Sequence, residues 1–493
     1  MKIENASTHF KPFVSPSLRA VARLALRALL WGAFLVAVVL AGFILFPGLL
    51  AIFTLGSPPI VEGLVILTIL TVLSVGLSWL LARFFASARS VALFGAFALG
   101  LVLIVWTAWA LKNPVPTLHV ARGTAWGDSD VWDYQKFPER VMENAGPAFY
   151  FDQNTSPELF QTIKYRSNGE WVQADFEEFL ESTNTTSLII IQNDAILYEN
   201  YFNGYSRDSI VTSFSMAKSF TSALIGIAIG EGLISSVNDP VIEYIPELRG
   251  RGLDEVTIRH LLLMASGIQY LTDDEAPVFN LWFTDDAMTY YYPDLRLLAL
   301  SVKPSGDPPG TVFKYNNYNP LLLGMILERA TGMPVAEYLQ EKLWKPLGME
   351  YPGSWSIDSE QSGFEKMESG INGRAIDFAK FGRLFLNGGN WNGKQIIPAS
   401  WVRESTASDP NYQRTLADQG WENGDYYGYM WWGAQHPDGS YDYAAMGNYG
   451  QYIMISPDEK ILMVRHGIDS GGDSSWEVDD WGDVFQSLVA EMK

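Results

Sequence analysis

Thr212-Ser213-Phe214-Ser215-Met216-Ala217-Lys218 opens an apolar run that ends near Gly230 and Gly232. The length of the run and its glycine ending predict a buried helix with Ser215 in its first turn. Ser215 and Lys218 are three residues apart, so on a helix they share a face and their polar ends can meet. A serine hydroxyl is a poor nucleophile until a base takes its proton. A lysine serves as that base only when its ammonium form is disfavoured, and burial and the positive end of a helix macrodipole both work in that direction. Alone, the Ser-x-x-Lys spacing is weak. About one chance match is expected in a chain of this length, and a helix-capping serine followed by a solvated lysine reads at least as well.

The surroundings change that balance. Upstream, residues 187–192 and 195–202 are rich in β-forming side chains and are separated by Asn193-Asp194, the mark of a hairpin with a tight turn. Downstream come a segment from Val256-Thr257 to Ser266-Gly267, then Lys314-Tyr315-Asn316-Asn317 ahead of a leucine-rich helix and Ala330-Thr331-Gly332. Residues 343–349 and 375–382 follow. In this order the segments resemble the serine β-lactamase/DD-peptidase superfamily. Within it they are similar to the class C β-lactamase-related branch that includes 6-aminohexanoate-dimer hydrolases and esterases. The resemblance covers roughly residues 185–490.

That resemblance implies an α+β fold, an antiparallel sheet flanked by helices plus a helical region, with the site between them. The sheet takes the 187–202 hairpin and strands near 442–467, and a helix after Gly482 packs back on it. Ser215 is implied as the acylated nucleophile and Lys218 as its base. Tyr315 is implied to pass a proton to the leaving group and to activate the deacylating water. A phenol does so only beside cations, of which Lys218 and Lys314 are at hand. Asn317 is implied to bind substrate or to hold Lys218. The plain alternative for Tyr315 is core packing near a turn.

The third motif departs from the branch. Ala445-Met446-Gly447 leads into Asn448-Tyr449-Gly450-Gln451, with no cation where relatives carry Lys or His. That weighs against efficient β-lactam hydrolysis and toward small amides and esters. The oxyanion hole expected from the resemblance uses the backbone N–H groups of Ser215 and Asn448. Gly447 fits a place where backbone closely approaches ligand, and a turn glycine fits equally well.

Other chemistries fare worse. There is no Gly-x-Ser-x-Gly elbow and no His-Glu-x-x-His, and the five histidines are scattered. No metal site and no cofactor are expected. His260 and His466 read as core histidines. The acidic clusters at 273–275 and 477–483 lack calcium-loop spacing and read as solvated surface. Trp282, Tyr290, Tyr291 and Tyr292 suit either a substrate pocket or a buried aromatic cluster. With no cysteine, disulfides, thiolate zinc sites and cysteine nucleophiles are excluded.

Charge and hydropathy divide the 493 residues. Of 34 basic and 55 acidic side chains, seven and two fall in residues 1–111, which leaves 27 and 53 in the remainder. So acidic a body repels phosphate backbones, and no nucleic-acid partner is expected. Three apolar runs, 28–46, 60–81 and 91–111, each approach the ~20 residues a helix needs to cross a bilayer. Arg19, Arg23 and Arg27 precede the first, and Arg83 and Arg89 lie between the second and third. Basic loops favour the cytoplasmic side, which puts everything after Leu111 outside.

The expected organisation is a cytoplasmic basic tail (1–27), three membrane helices (28–111), a linker and lead-in (112–184) and a hydrolase domain (185–493). The function expected is a membrane-anchored serine hydrolase of small amides, esters or peptide-like amides. Two alternatives stand beside it: a peptidoglycan D,D-peptidase, and a non-catalytic ligand-binding sensor.

Overall fold

The computed structural model describes residues 119, 122–123, 125–275, 284–409, 424–469 and 481–493. The chain divides into two compact units, Met1–Gly127 and Asp128–Lys493. The three apolar runs and Trp282 lie outside the described residues. Among the described residues no helix is long and apolar enough to cross a membrane. In the first unit, the Arg122 guanidinium lies 5.3 Å from the centre of the Trp126 ring.

The second unit is built on an eight-stranded sheet. Its strands are β1 (Asp152–Gln153), β2 (Thr185–Gln192), β3 (Ala195–Tyr201), β4 (Asp425–Tyr427), β5 (Trp432–Gln435), β6 (Tyr441–Gly447), β7 (Gln451–Ser456) and β8 (Ile461–Gly467). They lie in the order β4-β5-β6-β7-β8-β2-β3-β1. Every pairing is antiparallel except β1 with β3. The β2–β3 hairpin turns through Asn193 and Asp194, at φ 49° and 66°. Two successive left-handed residues match the strands' twist, which is why a short polar pair stands there.

Alternation along the strands sorts the two faces. On β7, Tyr452 and Met454 join an apolar cluster with helix α1 (Phe176–Ser182), the C-terminal helix α5 (Trp481–Glu491) and the hairpin of Thr162–Ser167 with Glu170–Asp175. Ile453 and, on β8, Leu462 face helix α4 (Ala375–Leu386). There a Cβ on Gly382 would fall 2.8 Å and 2.4 Å from their side chains. Glycine at that point lets helix and sheet touch. Behind α4 lies α2 (Ala217–Gly230), with Phe220 stacked on Phe381 at 3.6 Å, and α3 (Tyr318–Thr331) packs beyond it. The α+β fold expected from the sequence is present, with helices on both faces of the sheet.

A second sheet, in the order Glu139–Met142, Gly353–Ser356, Ile371–Gly373, Val211–Thr212, delivers the chain to the segment quoted first above. Ser213 fastens it there: its N–H donates to Ile371 O at 2.8 Å, and its hydroxyl accepts from Ile371 N–H at 3.1 Å. The sequence reading leaves 112–184 as linker and lead-in, with about 120–180 irregular. In the structure residues 128–184 belong to the same compact unit, holding one strand of the second sheet, the 162–175 hairpin and α1. These are short, polar-faced edge elements, whose partners are distant in sequence.

Candidate active site

Ser215 sits in a single 3₁₀ turn, Phe214–Met216, immediately before α2. Its neighbours on both sides are buried while Ser215 itself is only half-buried. Phe214 holds φ 42°, a left-handed conformation rare for a bulky residue. Backbone held in such a region concentrates at functional sites, where the surroundings impose it.

Lys218 is 1% exposed, and its ammonium nitrogen donates to Ser215 Oγ at 2.9 Å and to Glu368 O at 2.8 Å. The three-residue spacing thus brings the two polar ends together as expected. Lys218 Nζ also lies 4.9 Å from the centre of the Tyr315 ring. Tyr315 stacks on Trp432 of β5 at 5.7 Å and 29°. Ser215, Tyr315, Trp432, Gly447, Asn448 and Asp469 line one cavity of about 560 Å³. Asp469 is the one charged residue among its described lining.

Gly447 ends β6 against the nucleophile turn. A Cβ there would fall 2.3 Å from Ser213 O and 3.1 Å from both Phe214 Cβ and Ser215 N. Its φ of −138° is ordinary extended backbone, so glycine is needed for room and not for conformation. Neither reading offered above, approach to ligand or a turn glycine, is what this contact shows. The approach is to the nucleophile's own backbone, and it sets the start of Asn448 beside it. Ala445, the position at which the resemblance leads one to expect a cation, is fully buried and is not among the residues lining the cavity.

Three expected details differ. Asn317 is not held by Lys218: its Nδ2 donates to Tyr270 OH at 2.9 Å and to Thr289 Oγ1 at 3.3 Å. Its Oδ1 is buried with no hydrogen-bond partner among the described residues. Lys314, expected as a second cation for Tyr315, pairs with Glu275 at 2.6 Å, both substantially exposed. The acidic stretch 273–275 therefore supplies a surface partner. His260 is no core residue. It is half-buried and completes a capping box with Thr257, accepting from the Thr257 N–H at 3.2 Å. Burial lowers its pKa, and Arg259 adds repulsion.

Buried Tyr291 packs on half-buried Tyr290, rings 4.9 Å apart, with the Tyr290 hydroxyl bonded to Asp133, which is nearer the aromatic cluster foreseen as an alternative. Burial raises the Tyr290 pKa well above the phenol value. His466 is fully buried and hydrogen-bonds with Ser187 Oγ at 3.2 Å. Among the described residues no cluster suits a metal ion.

Several supporting residues give no motif in the sequence. Lys366 and Glu368 form an ion pair at 2.7 Å, both at most 3% exposed on their side chains, directly behind the carbonyl that holds Lys218. Arg465 is fully buried on β8. It donates to Gly450 O at 2.8 Å, Thr183 O at 2.8 Å and Thr185 Oγ1 at 3.0 Å, and so fixes the turn after Asn448. Burial lowers its pKa to about 10. The one sequence signal was an Arg-His pair on an otherwise apolar strand.

Known proteins resemble this chain over the same region. The family model described as beta-lactamase matches residues 172–480. The chain is 28% identical to 6-aminohexanoate-dimer hydrolase of Paenarthrobacter ureafaciens, over 60% of this chain and 79% of that one. It is 29% identical to Esterase EstB of Burkholderia gladioli over a shorter stretch, 31% of this chain and 41% of that one. A solved structure titled "Putative 6-aminohexanoate-dimer hydrolase from Bacillus anthracis" superposes with a TM-score of 0.58 at 25% identity, covering 73% of this chain and 92% of that one.

Proposed function

This chain belongs to the beta-lactamase family and is a serine hydrolase; on that premise we propose that it cleaves small amides or esters through an acyl-enzyme on Ser215. The observation that carries the proposal is the 2.9 Å bond between Ser215 Oγ and the buried Lys218 Nζ. Lys218, as its amine, takes the hydroxyl proton while Ser215 Oγ bonds to the substrate carbonyl carbon. Negative charge on the carbonyl oxygen falls to the N–H groups of Ser215 and Asn448, and the support is the close approach of Gly447, which precedes Asn448, to Ser215 N. Tyr315 gives its hydroxyl proton to the leaving nitrogen or oxygen as the carbonyl–heteroatom bond breaks, and stays as phenolate beside the Lys218 ammonium. Water then attacks the ester, its proton goes to the Tyr315 phenolate, and the Ser215 oxygen leaves with the proton that Lys218 holds, restoring hydroxyl and amine.

An amide or ester substrate without a carboxylate suits the cavity. Its described lining carries Asp469 and no cation. A D,D-peptidase would have to hold the terminal carboxylate of its peptide against that charge. Turnover of p-nitrophenyl esters and anilides, beside benzylpenicillin, separates the two. Multiple turnovers of an ester or anilide with no lasting penicillin adduct support the proposal. A stable penicillin adduct on Ser215 with no ester or anilide turnover overturns it.

The hydrolase unit is further proposed to be anchored on the exoplasmic side by spans at 28–46, 60–81 and 91–111. The support is the placement of Arg19, Arg23, Arg27, Arg83 and Arg89. A chain without cysteine makes the test clean. A membrane-impermeant maleimide on intact cells should label Glu158→Cys and spare Ser87→Cys. The reverse pattern would invert the topology.

A further inference from the structure

A second cavity, of about 490 Å³, adjoins the catalytic one, and Trp432 and Met446 line both. Its floor is a single face of the sheet. Along β6, Met446, Ala444 and Asp442 point the same way, because alternate residues share a face. Trp432 stands opposite Ala444 and Ala434 opposite Asp442 on β5, and Met454 stands opposite Ala444 on β7. Phe485 of α5 forms a wall. The four residue steps from Met446 to Asp442 span about 13 Å. The floor is therefore a strip that leaves the catalytic cavity at Met446 and runs away from it along the strands.

The strip is hollow because its middle is alanine. Ala434 and Ala444 stand where the neighbouring positions carry Trp432, Met446 and Met454, so a gap remains between large side chains. It is apolar until its far end, where Asp442 takes a hydrogen bond from His436 at 2.9 Å and Asp425 also borders the cavity. Ligand cavities commonly fall between about 300 and 1,000 Å³ and combine an apolar lining with a few polar groups. A polar substituent would find no partner along the floor, whereas each methylene placed there leaves water. Continuity through Trp432 and Met446 identifies the occupant as part of the molecule being cleaved.

We propose that this groove is a subsite for an extended aliphatic chain carried by the ester or amide, so that the preferred substrates are medium-chain and not acetyl-sized. The inference rests on the hydrolase reading above and adds the substrate class. A chain could enter from the acyl or the leaving-group side, and the test separates them.

The purified full chain is assayed with p-nitrophenyl esters from acetate to octanoate and, separately, with acetate esters of alcohols from methanol to octanol. In one of the two series kcat/KM should rise at least tenfold between the shortest and the six-carbon member. Ala444→Phe, which fills the groove, should abolish that rise and leave acetate hydrolysis within about twofold. Ala434→Leu on β5 serves the same purpose should Ala444→Phe fold poorly. Independently of turnover, octanamide should bind Ser215→Ala by calorimetry and lose that binding when Ala444→Phe is added. Flat profiles in both series, or a slope untouched by both fillings, overturn the proposal. Failure of the hydrolase reading shows differently: no ester is cleaved, while the octanamide arm still reports on the groove.

Discussion

The rings of Phe214 and Tyr449 pack 5.0 Å apart, and both residues hold left-handed backbone, at φ 42° and 63°. One immediately precedes the nucleophile and the other follows Asn448. The Tyr449 hydroxyl reaches Ser129, bonding its carbonyl and lying 3.1 Å from its Oγ. Ser129, near the start of the compact unit, is thus linked through two strained residues to Ser215. Tyr449→Phe, which keeps the ring and loses the bond to Ser129, should cost about 1 kcal/mol in urea unfolding. Tyr449→Ala should stay folded yet slow fluorophosphonate labelling of Ser215 on the order of tenfold to a hundredfold, since the turn loses its support. Labelling at the wild-type rate in Tyr449→Ala would separate the ring contact from the site.

Gly447→Ala tests the close approach of β6. The extended φ tolerates alanine, so any effect comes from the added methyl against Ser213 O and Ser215 N. Overpacking of this kind costs roughly 1–3 kcal/mol. The expected outcome is a lower Tm together with a loss of ester turnover larger than the stability change explains.

The Lys366–Glu368 pair is buried, and removing one partner strands the other's charge. Glu368→Gln should lose about 3–5 kcal/mol, whereas Glu368→Gln with Lys366→Met should recover most of it. Denaturant unfolding of the three variants decides this. Equal stability of the single and double variants would mean that the pair is not what is being broken.

His466 predicts a pH effect. Burial, with repulsion from Arg465, depresses its pKa to about 3, while an unfolded imidazole titrates near 6.5. Between these values the unfolded chain takes up a proton that the folded chain refuses. Stability therefore falls as pH drops below about 6.5. From about pH 7 to about pH 5, wild type should lose about 2 kcal/mol more than His466→Gln. Parallel losses in the two proteins would contradict it.

The sequence reveals what depends on local spacing. Ser215 and Lys218 meet because three residues make one helical turn, and the Asn193-Asp194 turn is legible because few residues adopt left-handed backbone easily. Tyr315 follows from its motif. What it hides depends on long-range contact. Nothing near Gly447 announces that Ser213, more than two hundred residues earlier, occupies the space of its side chain. Lys366 and Glu368 look like surface charges until the fold buries them behind Lys218. Asn317 reads as a substrate or lysine partner, and Tyr270 and Thr289, on neighbouring segments, take its amide in place of Lys218. The aliphatic groove needs the register of three strands before its alanines can be seen as a gap.

The most direct test of the central claim is intact-protein mass spectrometry after incubation with a fluorophosphonate, on wild type, Ser215→Ala and Lys218→Ala. The account predicts one adduct on wild type, located on Ser215, none on Ser215→Ala, and strongly slowed formation on Lys218→Ala. Folded wild-type protein that takes no adduct, or an adduct that persists in Ser215→Ala, would contradict it.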